Sequence, residues 1–286
     1  MHAILALGAS HLTRVSQQQD FNTYAIVHRG KAIKGLNDAL ARGSRGAGDS
    51  DAMLAACYAL TFQASYMGDG MADFIAMVRG CALLTEQMNR SQECTAFAMG
   101  AEMHVGIMVP RLDRMPPIDP GLITPGILST ENLRPLLRTP TDTLFHASLL
   151  RVLYALQESS KAGYMNFIGV YGTFFDMSHT DFSHFVDPTN LVCQLLMAHF
   201  IGLQMLIMPL TMVEINRTPD ASQARVLLGM SDWSEQIEER IPADMKGHLN
   251  WMRCMIDGIK HDVDRLLDGS HRTMPLKILA GRNIAE

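Results

Sequence analysis

The chain has 286 residues, a formal net charge of −5, and 24 Lys and Arg residues spread thinly along its length. Such a distribution lacks the basic stripe or patch of a nucleic-acid-binding domain, so no direct nucleic-acid contact by this chain is expected. At the usual ~100 to 200 residues per domain the length admits one large domain or two, and without a low-complexity linker a single domain over 1–286 is expected.

Helical periodicity dominates and no strand meander is found, so the fold class is all-α. Met1–Val15 reads as a first helix. Its opening, Met1–Leu12, has no basic n-region and no cleavage site, so it is not read as a secretory signal. The second helix, about 21–42, places Tyr24, Val27, Ile33, Leu36 and Leu40 near one face and basic residues on another, and Gly43–Gly48 reads as a loop. Asp49 or Ser50 is expected to cap a third helix over about 51–66. Gly68-Asp69-Gly70 then turns the chain into a fourth, about 71–88.

A helix over about 95–109 is expected to end at Pro110, because proline lacks the amide hydrogen. The next stretch, 111–126, holds four prolines and two glycines and reads as a long surface crossing. Thr141 or Asp142 is expected to open a helix to about Ser159, with Leu144, Phe145, Leu149, Leu153 and Leu156 inward. The glycine- and aromatic-rich segment 163–185 is expected to form irregular helices.

Leu191–Val213 follows, 23 residues without Asp, Glu, Lys or Arg. About 20 apolar residues suffice to span a bilayer. Gln194, His199 and Gln204 at roughly helical spacing, with Pro209 as an expected kink, favour a central buried helix and no transmembrane segment. Toward the end, Met245, Leu249, Met252, Ile256, Ile259, Val263 and Leu266 recur at steps of four and three. This is a heptad seam that serves either packing within the subunit or self-association.

Two features of composition bear on function. The chain carries 21 methionines, whose flexible, polarizable side chains adapt to irregular apolar partners, so a deformable apolar cavity is expected around the central helix. The five cysteines, Cys57, Cys81, Cys94, Cys193 and Cys254, are scattered, with no Cys-x-x-Cys pair. Buried thiols in a reducing compartment are expected, with neither zinc site nor disulfide frame.

Met1-His2-Ala3-Ile4-Leu5-Ala6-Leu7-Gly8-Ala9-Ser10-His11-Leu12, His28-Arg29-Gly30-Lys31-Ala32, Gly35-Leu36-Asn37, Ala39-Leu40 and Asp51-Ala52-Met53-Leu54-Ala55-Ala56 form a pattern, which Met77-Val78-Arg79-Gly80 extends more weakly. In it the chain resembles the C-terminal regulatory domain of fungal binuclear-zinc-cluster transcription factors, especially the sterol uptake control type. The resemblance implies an all-helical, homodimeric, cytoplasmic and nuclear regulator whose apolar pocket receives a sterol. The six-cysteine DNA-binding cluster of that family is not among these residues, so DNA binding is not assigned to them.

No phosphate loop, dinucleotide fingerprint or nucleophile elbow occurs, and no cofactor is expected. Asp176, His179, Asp181, His184 and Asp187 form the densest polar cluster; without a His pair at i and i+4 no metal site is expected. An apolar ligand needs a large greasy cavity and one or two orienting groups. The central helix offers Met197, Phe200, Met205 and Met208 as lining and Gln194, His199 or Gln204 as orienting groups, with Phe174 and Phe175 opposite. The alternative is a cofactor-independent cyclase or isomerase acting on an apolar secondary metabolite. His104, His179, Asp181 and His199 would then be its catalytic candidates; for the histidines, imidazole titrates near neutrality.

Overall fold

The computed structural model describes residues 1–16, 20–42, 48–92, 95–97, 101–215 and 231–267. It is all-α, and no strand occurs among the described residues. Two compact units are present, Met1–Gly100 and Ala101–Glu286.

In the first unit, α1 (His2–Ser16), α2 (Asp20–Ala41), α3 (Asp49–Ala64) and α4 (Met71–Arg90) pack on one another. Its core is built from small and medium side chains, among them Ala3, Ala32, Leu36, Met53, Leu54, Cys57, Leu60, Leu84 and Met88. α1 turns Ala3, Ala6 and Ser10 inward and leaves Ile4, Leu5 and Leu12 exposed. Small inward residues let helix backbones approach closely. α2 is built in the same way. Its buried positions are Ala25, Arg29, Ala32 and Leu36, whereas Tyr24, Val27 and Leu40 are exposed.

The start of α3 is Gly48, at φ +85° and without a side-chain cap, and neither Asp49 nor Ser50 caps it. The Asp51 carboxylate instead accepts hydrogen bonds from the Thr95 hydroxyl and from Ala96 N at 2.9 Å. The turn expected at 68–70 is present, and Gly70 is required there. A Cβ at that position would lie 2.1 Å from the Ala64 carbonyl oxygen.

The second unit surrounds one apolar helix. It comprises α5 (Ala101–Leu112), α6 (Pro120–Glu131), α7 (Pro140–Glu158), α8 (Ser160–Asp176), α9 (His179–Phe185), α10 (Leu191–Thr211), α11 (Ser231–Arg240) and α12 (Asn250–Leu267). α10 is long and apolar enough to cross a membrane by length and composition, yet 89% of its apolar window is buried inside the protein. α6, α7, α8, α11 and α12 all pack against it. It opens at Asn190, whose side chain accepts from Cys193 N, and continues through Pro209 to Thr211.

Three boundaries depart from the sequence reading. Pro110 lies inside α5 and does not end it. The crossing after it is short, because Pro120 occupies the first turn of α6, where its missing amide hydrogen costs nothing; the Asp119 carboxylate accepts from Gly121 N. α7 is capped by Thr139, with Asp142 completing a reciprocal capping box. Leu144, expected inward on that helix, is exposed. Segment 163–185 is not irregular, since 160–176 forms one continuous 17-residue helix.

The heptad positions run through a 3₁₀ turn, Lys246–Leu249, into α12. Leu249, Met252, Ile256, Ile259 and Val263 are buried, and α12 packs on α10 and α6 of the same chain. Met245 is half-buried, and the Leu266 side chain lies outside the described residues. Residues 43–47 of the expected loop and Cys94 also lie outside them. Of the other cysteines, Cys57, Cys81 and Cys193 are buried as expected, whereas Cys254 is exposed.

Candidate functional site

The second unit contains an aromatic cluster on the α8 side of α10. Phe200 lies 6.0 Å from Phe145, 6.3 Å from Phe167, 5.9 Å from Tyr171 and 6.1 Å from Phe174 between ring centroids. Phe145 also meets Phe185 at 5.0 Å. The rings of Phe174 and Phe200 thus contact other protein rings. Met197, Met205 and Met208 are buried and Phe175 is half-buried.

The three polar candidates of α10 have different surroundings. Gln204 donates from Nε2 to the Tyr171 hydroxyl at 3.1 Å. Its Oε1 is buried without a hydrogen-bond partner among the described residues, and so is Oε1 of Gln194. Buried carbonyl oxygens of this kind are uncommon, because each loses its hydration without replacement. His199 is 1% exposed and has a partner at each ring nitrogen. Nδ1 lies 2.9 Å from the Leu195 carbonyl oxygen and Nε2 lies 2.9 Å from Ser129 Oγ on α6. Burial lowers its pKa from 6.5 to about 4, opposed by the hydrogen bond to Leu195.

Trp251 of α12 lies against the His199 ring, at 5.8 Å between centroids. Two glycines make room for its indole. A Cβ at Gly126 would lie 2.7 Å from Trp251 Cζ2, and one at Gly202 would lie 2.9 Å from Cζ3. Trp251 Nε1 donates to the Leu122 carbonyl at 3.4 Å.

Between α6 and α12 this arrangement opens a surface groove of about 410 Å³. Leu122, Pro125, Leu128, Trp251 and Met255 supply its apolar walls, with Ser129, Asn132, Asn250 and Cys254 as polar lining. Behind Ser129 sits His199. The groove can therefore hold an apolar body and present it with one oriented hydroxyl oxygen, the combination that gives small-molecule sites affinity and orientation.

The remaining candidates do not gather there. His104 Nε2 is 2.9 Å from the Tyr164 hydroxyl. Asp181 belongs to the N-terminal cap of α9, where it accepts from the Ser178 hydroxyl at 2.7 Å, and His179 is the exposed first residue of that helix. His184 Nδ1 lies 3.1 Å from Asn190 Nδ2. Asp187 accepts from Thr189 N and Oγ1, bonds that hold its carboxyl below the ordinary value. Asp181 and His184 line a smaller groove of about 220 Å³ with Thr139, Thr141, Asp142, Thr180 and Phe185. No group of three His, Cys, Asp or Glu among the described residues is placed to hold a metal ion.

Sequence reasoning missed Ser129 and the groove. With 111–126 read as a crossing, Ser129 had no helix to place it beside His199. A usable signal was present in Gly126 and Gly202, small residues on two helices that leave room for a ring.

Residues 1–104 match the family model described as a fungal specific transcription factor domain. The match spans the first unit and the start of α5, about a third of the chain, and it supports a regulatory domain of a fungal transcription factor. That class of protein implies a nuclear role. No curated protein and no solved structure matches the chain.

Proposed function

We propose that the chain is a ligand-sensing, dimerising regulatory domain of a fungal transcription regulator, of the sterol uptake control type, moving between cytoplasm and nucleus. The family match over residues 1–104 carries the regulatory part of this reading. The groove backed by the Ser129–His199 pair supports ligand binding. Binding regulates only if the ligand favours one of two conformations by differential affinity.

Binding is better supported than catalysis at His199. A general base works best with a pKa near the operating pH, and an imidazole at about 4 accepts a proton weakly at neutrality. Native mass spectrometry of the purified chain, followed by solvent extraction, tests the reading. The expected result is a species at twice 31.6 kDa that retains an unmodified apolar molecule. A monomer that neither retains nor binds a sterol would overturn it, and recovery of a cyclised metabolite would favour an enzyme.

A further inference from the structure

The hydrogen bonds at His199 determine which chemistry the groove accepts. The Leu195 carbonyl can only accept, so the 2.9 Å contact requires the proton on Nδ1. At neutral pH the buried ring carries one proton, and Nε2 is therefore an acceptor. Its neighbour at 2.9 Å, Ser129 Oγ, must then direct its single hydrogen inward to Nε2. The lone pairs of Ser129 are what remain for the groove. A hydroxyl that is free to rotate serves donors and acceptors alike; this one is held as an acceptor by a side chain 1% exposed.

From this geometry we infer that the groove between α6 and α12 is a binding site for a ring-bearing alcohol or phenol, whose hydroxyl donates to Ser129 Oγ while its rings lie against Trp251. Ser129 is the specificity-determining residue, and His199 is the positioning residue that sets its polarity. The inference deepens the sensor reading and rests on it for the site's purpose. A ketone of the same skeleton offers only an acceptor, which faces the Ser129 lone pairs and gains no hydrogen bond from that side chain. Sites built around a hydrogen bond discriminate strongly against an analogue that cannot form it. The walls, Leu122, Pro125, Leu128 and Met255, are apolar and impose no such selection.

Cys254 lines the groove and is exposed, so it reports occupancy without any assay of transcription. The full chain is alkylated with N-ethylmaleimide in the presence of matched pairs, a tetralol with its tetralone and ergosterol with its ketone, and modification of Cys254 is followed by peptide mass spectrometry. The alcohols are expected to protect Cys254 at about tenfold lower concentration than the ketones, a difference of one hydrogen bond. His199→Phe frees the Ser129 hydroxyl to rotate, and the preference should fall to about twofold or less. The wild-type comparison decides by itself should that variant not fold. Equal protection by both members, or preference for the ketones, would overturn the assigned polarity and leave ligand sensing standing. No protection by any probe would overturn the site. The expected alcohol preference in a chain whose ligand leaves reporter transcription unchanged would support the groove and count against the sensor reading.

Discussion

The two units solve the problem of burying helices in opposite ways. In the first, helices meet through alanines and other small side chains around a core of Leu36, Leu54, Leu60 and Leu84, and a buried polar network ties the helices together as well. Arg29 is 5% exposed; it donates to Gln63 Oε1 at 2.8 Å and to Asp73 Oδ2 at 2.6 Å, and Gln63 Nε2 reaches Ser10 Oγ at 3.3 Å. One side chain thereby links α2 to α3 and α4, and Gln63 extends the network to α1. In the second unit the centre is a helix whose large apolar side chains are buried all round, and aromatic rings pack against it. A polar network depends on every partner, because a stranded group loses its hydration without compensation. An apolar core depends on volume.

The largest expected effect is on the apolar side. Phe200→Ala opens a cavity among four rings and should cost about 4 kcal/mol. Hydrogen exchange should rise through α5–α12 and leave α1–α4 protected. Exchange rising equally in both units would show a single cooperative domain and end the contrast.

Arg29→Ala is the counterpart in the first unit. It strands the buried Gln63 amide, while Asp73, half exposed, recovers water. The expected cost is about 3 kcal/mol, with the exchange pattern reversed. Arg29→Met, which keeps the volume of the stem, should recover little of the loss if hydrogen bonding is what matters. Full recovery would mean that packing holds this unit as well.

Acidification should sharpen the comparison with a smaller effect. The pKa of His199 is lowered in the fold to about 4 from 6.5, so the unfolded chain binds this proton first as pH falls. The stabilisation is complete above pH 6.5 and is lost progressively toward pH 4. At 1.36 kcal/mol per unit, roughly 2 kcal/mol disappears by pH 5. His146 and His248 lie close enough to act on the same titration. Chemical denaturation at pH 7 and pH 5, compared between wild type and His199→Phe, checks this. An identical pH dependence in both would remove His199 as its source.

Much of the helical order was legible in the chain because periodicity and end signals are local. Leu191–Val213 could only be a helix wholly buried or in lipid, and the Gly68–Gly70 turn was visible as glycine spacing. Errors fell where one residue type serves two ends. Prolines at 110, 120 and 125 read as breaks, yet proline is favoured in a first turn and is accommodated within α5 and α6. On α2 apolar size is no guide to burial, since Tyr24, Val27 and Leu40 are exposed while Leu36 is buried. The inward side carries alanines and an arginine, whose partner Gln63 lies 34 residues away.

By itself the sequence determined the all-α class, the burial of α10 and the likeness of residues 1–104 to a fungal specific transcription factor domain. These depend on composition and on spacing within one or two helical turns. Only the tertiary structure decided that Leu249, Met252, Ile256, Ile259 and Val263 of the heptad seam are buried where the last described helix packs on α10 and α6 of the same chain, and that Ser129, His199 and Trp251 meet at one groove. Those residues lie 70 and 52 positions apart in the chain. Their meeting depends on crossings set by glycines at 126 and 202, a long-range property that no local pattern encodes.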